Sequence, residues 1–131
     1  MILLDTHIWL DWIIKGKAAL PPGIAKKIES DRRVAVSSIS CFEVALLSER
    51  GAVKLETSVA EWCDMALAPS GIECLPIGCE IARLSVALPK IHKDPADRII
   101  IATAIFHGAE LASLDSKFPL YAEIAGMLVS N

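Results

Sequence analysis

The stretch from Pro95 to His107, PADRIIIATAIFH, constrains this chain more than any other. Pro95 lacks a backbone N–H and has a fixed φ, so it suits the first turn of a helix and little else within one. Asp94 then falls at the N-cap, where its carboxylate accepts orphan backbone N–H groups. Gly108 closes the element as a left-handed C-cap. Between these limits the segment is apolar on nearly every face, which predicts a helix buried from all sides. Two carboxylates, Asp94 and Asp97, therefore open a core helix. Taken alone, a cap and a dipole-compatible acid in the first turn are common features of ordinary helices.

The rest of the chain supplies the layers that could bury such a helix. Ile2-Leu3-Leu4 is a short apolar run ending at Asp5, the pattern of a strand covered on both faces. Thr6-His7 reads as a turn, and Ile8 to Ile14 as a short helix ending near Gly16. Pro21-Pro22 opens a second helix. Val34-Ala35-Val36 is a second strand, followed by a helix from about Ser37–Ser40 to Arg50. Ser58 begins another helix with a capping box to Glu61. Ile72 to Ile77 reads as a third strand interrupted by Pro76, and Cys79 to Leu88 as a helix stopped by Pro89. Glu110 to Leu114 is a strand ending at Asp115, and a weak last strand lies near Met127-Leu128-Val129.

Strands alternating with helices imply a parallel sheet covered on both faces, because parallel neighbours need crossover connections. Ligands in such sheets bind beyond the carboxyl ends of the strands. Asp5 and Asp115 occupy that edge, and Glu43 in the first turn after the second strand shares it. Helix starts are expected at the opposite edge, so bringing Asp94 and Asp97 to the same cleft would require an oblique helix.

At 131 residues the chain is expected to form one domain with a single core. Hydrophobic residues make up 53% of it, more than a soluble monomer of this size needs, so a partner or second copy is expected to cover the excess. Charges and prolines break every apolar run before it could span a membrane. Met1 leads into an apolar strand without a basic leader, and a cytoplasmic protein is expected. A formal charge of −3 excludes a broadly basic nucleic-acid wrapper but allows a local basic rim, with Lys15, Lys17, Arg32, Arg33, Lys90 and Lys93 as candidates. The four cysteines form no CxxC pair, so buried reduced thiols are expected rather than zinc or disulfides.

Each acid has a local explanation. Glu43 fits a Ser40-x-x-Glu43 capping box, Asp115 a turn, and Asp5 an Asx-turn. Jointly they are harder to dismiss, because carboxylates converging on one cleft repel and raise one another's pKa values. Hard divalent cations such as Mg²⁺ or Mn²⁺ relieve that repulsion and can activate water for phosphodiester hydrolysis. There is no Walker A loop, GxGxxG or GxSxG motif. His7, His92 and His107 are too scattered for a zinc site, and His92, flanked by Lys90 and Lys93, reads as solvated. Trp9, Trp12 and Ile13 read as core or interface.

Four segments in order then carry a resemblance. They are Leu3-Leu4-Asp5-Thr6-His7, Ser38-Ile39-Ser40-Cys41-Phe42-Glu43-Val44-Ala45, His92-Lys93-Asp94-Pro95-Ala96-Asp97-Arg98 and Leu111-Ala112-Ser113-Leu114-Asp115. Together they resemble the successive motifs of PIN-domain proteins, specifically the VapC-type toxins of bacterial type II toxin–antitoxin systems. The resemblance runs essentially end to end. It implies a three-layer α/β/α sandwich around a parallel sheet of four to five strands, and a single PIN domain over residues 1–131. It implies a Mg²⁺- or Mn²⁺-dependent endoribonuclease that hydrolyses RNA through metal-activated water. Asp5, Glu43, Asp97 and Asp115 would form the acidic quartet. Asp94 stays open between helix cap and metal ligand. Thr6, Ser113 and Arg98 are expected to support the site, Ser113 standing where the family often has Thr, and Arg98 in an ion pair with a nearby carboxylate. The implied partners are RNA, a cognate antitoxin and a second copy of the chain. A non-catalytic PIN-like module is the alternative. A haloacid-dehalogenase-type phosphatase also starts with a strand ending in Asp, but needs a second Asp where His7 stands.

Overall fold

A computed structural model describes residues 1–31 and 33–131, so Arg32 lies outside the described residues. Five short strands form one parallel sheet in the order β3-β2-β1-β4-β5. They are β1 (Ile2–Leu4), β2 (Val34–Ser37), β3 (Ile72–Leu75), β4 (Glu110–Ala112) and β5 (Leu128–Val129). Six α-helices connect and cover them: α1 (Thr6–Lys15), α2 (Pro22–Ser30), α3 (Ser38–Glu49), α4 (Val59–Met65), α5 (Cys79–Ala87) and α6 (Pro95–His107). The chain grows outward from β1 through β2 to β3, then returns to add β4 on the other side of β1. Leu3 aligns with Ala35 on one side and Leu111 on the other. The crevice between β1 and β4 is thus a topological switch point, the place where parallel sheets bind ligands.

Alternation along the strands divides the core into two layers. Ile2, Leu4, Val34 and Val36 pack with Ile8, Trp9, Ile24, Ile28 and Trp62 on one face. Leu3, Ala35 and Leu111 pack with Ile81, Ile100, Ile101, Phe118, Tyr121 and Ile124 on the other. The expected α/β/α sandwich is therefore what forms. Trp9 is fully buried, its ring edge-on to Trp62 at 4.9 Å and its indole N–H bonded to the Ala66 carbonyl at 2.9 Å. Burying a side chain of this kind contributes roughly 1.5–3 kcal/mol.

The helix α6 has the predicted limits. Asp94 Oδ1 accepts from the Ala96 amide at 2.9 Å, and Gly108 takes φ +61°, a left-handed turn that a Cβ would strain. Gly108 and Ala109 then feed straight into β4, whose first amide bonds to the Met1 carbonyl at 3.0 Å. The carboxyl end of α6 is thus at the amino edge of the sheet, and its amino end at the carboxyl edge. The expectation that α6 would start at the opposite edge is corrected here. A crossover helix runs antiparallel to its strands, so its start lies beside the strand ends.

Several local boundaries also differ. Thr6 begins α1 rather than forming a turn, because Asp5 is the N-cap and accepts from the Ile8 amide at 2.9 Å. Ser37, not Ser40, caps α3 through the Ile39 amide at 3.2 Å. That moves Glu43 from the first turn into the second and overturns the Ser40–Glu43 capping box. The strand expected to run to Leu114 stops at Ala112, leaving Asp115 in the turn beyond. Cys41 and Cys63 are half-buried, but Cys74 and Cys79 are exposed, against the expectation of four buried thiols. Among the described residues no helix is long and apolar enough to cross a membrane.

Candidate metal centre at the carboxyl edge of the sheet

The structure gathers all five expected acids in one place. Asp5, Glu43, Asp94, Asp97 and Asp115 line an open cleft of about 310 Å³, with Thr6, His7, Asp11 and Leu114. Each arrives from a different local device. Asp5 follows β1 and caps α1, while Asp94 and Asp97 occupy the N-cap and first turn of α6. Asp115 ends a turn after β4 in which its own amide bonds to Ser113 Oγ at 3.1 Å and its Oδ1 accepts from the Lys117 amide at 2.8 Å. Glu43 reaches in from the second turn of α3, where the Thr6 hydroxyl donates to its carboxylate. Ser40, fully buried, is hydrogen-bonded to the same Thr6 hydroxyl at 2.9 Å. Thr6 thus holds the Glu43 carboxylate at the cleft wall.

Glu43, Asp94 and Asp97 each place a carboxylate oxygen within 4.8 Å of the others. A second cluster at the same spacing joins His92, Asp97 and Asp115. Proximity and burial leave an electrostatic mark. Burial pushes the Asp97 carboxyl up to about 6, with Asp94, Glu43 and Asp115 adding to the rise and His92 opposing it. Burial also raises Glu43, reinforced by Asp94 and Asp5 and opposed by the Thr6 hydrogen bond. Asp5, only 7% exposed, is raised by burial against the pull of Ser113 and the Ile8 amide. Five carboxylates that repel one another in this way make an oxygen-rich set that suits a hard divalent cation, Mg²⁺ or Mn²⁺, better than a soft one.

The sign of this strain gives a prediction for the protein without metal. A carboxyl raised from 3.8 to about 6 in the folded state favours folding while protonated, and that advantage is lost as pH rises through about 6. Asp97→Asn should therefore raise stability at pH 7.5 in chelator by about 1–2 kcal/mol, after allowance for solvent screening, and change it little at pH 4. Thermal melts at the two pH values decide; a lower melting temperature at pH 7.5 would contradict the repulsion described.

Asp94 is exposed and keeps its cap bond, so its cap role and its place in the cleft coexist. Asp94→Ala is expected to cost about 0.5–2 kcal/mol, and Asp94→Ser to restore most of it. If Asp94→Ser also restored full activity, Asp94 would be a cap alone.

Two expectations are overturned. Among the described residues Arg98 has no ion-pair partner: buried, it donates from Nη1 to the carbonyls of Pro89 (2.8 Å) and His92 (3.2 Å), and from Nη2 to those of Val86 (3.2 Å) and Leu88 (2.8 Å). It thus closes the open carboxyl end of α5 and ties down the loop before α6. His92 is not solvated either. It is 9% exposed, with Nε2 3.1 Å from Asp115 Oδ2 and Nδ1 3.5 Å from Asp97 Oδ2. Sequence reasoning also passed over Asp11, which the four-residue step from His7 along α1 would have placed at the cleft.

With the geometry in view, comparison with known proteins identifies the fold. The PIN-domain family model matches residues 2–124. This chain belongs to the PIN-domain family. Ribonuclease VapC22 of Mycobacterium tuberculosis is 34% identical over 117 residues, covering 88% of each chain. The PIN sheet and helices also superpose on a toxin–antitoxin complex from Klebsiella pneumoniae, with TM-score 0.67, 27% identity, and 99% and 97% of the two chains covered. VapBC2 of Rickettsia felis, solved with a fragment of its promoter DNA, gives TM-score 0.72 at 20% identity, covering 99% and 98%. With a family model over most of the chain and a relative named as a ribonuclease, neither a vestigial module nor a phosphatase is favoured.

Proposed function

We infer that this PIN domain is a metal-dependent endoribonuclease acting as the toxin of a toxin–antitoxin pair. The observation that carries the reading is the convergence of Asp5, Glu43, Asp97 and Asp115, from four separate parts of the chain, on one cleft at the switch point. The 34% identity to a named ribonuclease over most of both chains supports it. Asp5, Glu43, Asp97 and Asp115, with Asp94 beside them, are the residues that would hold Mg²⁺ or Mn²⁺. When bound, such an ion supplies charge neutralisation and an activated water for phosphodiester hydrolysis. The chain's own part is to fix the donors: Thr6 aims Glu43, Ser113 steadies Asp5 and Asp115, and Arg98 holds the loop that carries His92 and Asp94.

RNA would approach over the open cleft. Lys90 and Lys93 are exposed on the loop beside it and suit phosphate contacts. Lys15, Lys17 and Arg33 instead pair with Asp11 (3.5 Å), Glu29 (2.9 Å) and Glu73 (2.8 Å). An antitoxin has a route as well. A groove of about 300 Å³ lined by Ile13, Ile14, Leu55, Trp62 and Met65 continues past Leu47 and Val53 to His7 and Asp11 at the cleft mouth. It suits an apolar helix whose basic end reaches the acids. Exposed Phe42, on α3, suits contact with a second copy.

The test is RNA cleavage by the purified, contamination-controlled protein. Activity should disappear in chelator, return with Mg²⁺ or Mn²⁺, and stop when a cognate antitoxin is added. Cleavage that persists in chelator overturns the metal-dependent reading. Light scattering at micromolar concentration should give a dimer.

A further inference from the structure

His92 is a buried imidazole wedged between two of the acids, and nothing in the quartet accounts for it. Its two ring nitrogens face two carboxylates on separate elements, Asp115 after β4 and Asp97 on α6. A carboxylate oxygen only accepts, so the 3.1 Å contact is a donation from Nε2–H to Asp115. The ring cannot easily turn away. It lies edge-on to Phe118, with centroids 5.5 Å apart and an interplanar angle of 87°. Its backbone is pinned at both ends: its amide donates to the Tyr121 hydroxyl at 2.8 Å, and its carbonyl accepts from Arg98 at 3.2 Å. The ring orients Asp115 by that donation, and its other edge, with Nδ1 3.5 Å from Asp97 Oδ2, fixes how near Asp97 stands, so the wedge sets the separation of the two carboxylates.

We propose that His92 is a positioning residue, which holds Asp97 and Asp115 at the spacing that admits a hard divalent cation. This rests on the metal-dependent reading above and adds to it the part that the acids alone lack. Ligation through Nε2 is disfavoured because that atom is spent on Asp115. Ligation through Nδ1, from a residue that lies in one cluster with Asp97 and Asp115, is the rival geometry that the titration below separates. Without the ring, the two carboxylates swing apart, and each bound cation must first draw them together. Outer partners of this kind typically change metal affinity by about 10–100-fold when removed.

The experiment is calorimetric titration of the metal-free full chain with MgCl₂ and separately with MnCl₂, alongside thermal melts. His92→Ala should weaken both ions by about 10–100-fold. His92→Gln places an amide donor where Nε2 stood and should recover most of that affinity. His92→Asn places one nearer Nδ1, facing the longer contact, and should recover less. A purely structural role would lower the melting temperature of all three without separating Gln from Asn in affinity, and that result overturns the proposal. So does affinity in the Ala variant within twofold of wild type, or a loss confined to Mn²⁺, which would mark a direct nitrogen ligand. Absence of uptake by the wild-type chain would instead overturn the metal-dependent reading itself. The two failures are therefore distinguishable.

Discussion

Asp5→Asn, Glu43→Gln, Asp97→Asn and Asp115→Asn should each lower RNA cleavage by roughly a thousandfold, about 4 kcal/mol of lost transition-state stabilisation. Each removes one charge from a shared donor set, so combining two should cost far less than the product of the single losses. The proteins should stay folded. Asn at position 5 retains a side-chain oxygen for the Ile8 amide, and Gln at position 43 retains an acceptor for the Thr6 hydroxyl. Single-turnover cleavage with metal-stripped protein and added Mg²⁺ is the measurement. Near-wild-type, Mg²⁺-dependent turnover by any two of these variants would dismiss the quartet.

Arg98→Ala should be the most damaging change outside the cleft. It strips donors from the carbonyls of Val86, Leu88, Pro89 and His92, in a part of the molecule where the guanidinium is buried. A buried carbonyl left without a donor costs roughly 1–3 kcal/mol, and relaxation recovers part of the total, so a net loss of about 3–5 kcal/mol is expected. In a chain of this length that is a fall of roughly 10–20 °C in melting temperature. Lys should recover less than half, because one ammonium cannot match a planar fork spread over four acceptors. A wild-type melting temperature for Arg98→Lys would show that charge alone suffices, and the four-carbonyl clamp would have to be abandoned.

The same two residues show where sequence reasoning reached and where it stopped. The central helix could be read because its start, its stop and its apolar faces are all local properties: Asp94-Pro95 at one end, Gly108 at the other. Asp5 and Asp115 were legible because each is the first polar side chain carrying charge after an apolar strand. Arg98 was misjudged because its partners are main-chain carbonyls, which every residue possesses and no side-chain pattern reveals. His92 was misjudged for a different reason. Its two lysine neighbours describe the exposed flanks of the loop, whereas its own burial depends on Phe118 and Tyr121, which only the folded chain brings near. The cap of α3 was a choice among closely spaced serines, and it turned on where β2 ended. The edge on which α6 begins was missed by geometry rather than chemistry, since a crossover helix reverses direction.

The placement of β1 has a consequence in time. β1 sits at the centre of the sheet, and one of its two neighbours, β4, follows it only after two other strands and all six helices. Asp5 therefore waits, through most of translation at about 5–20 residues per second, for the segment that brings Asp115 to its side. A chain that has not yet released β4 from the ribosome carries part of the cleft's acids but no cleft. For a protein that cuts RNA, this order keeps the nascent polypeptide harmless to its own template until β4 has docked beside β1.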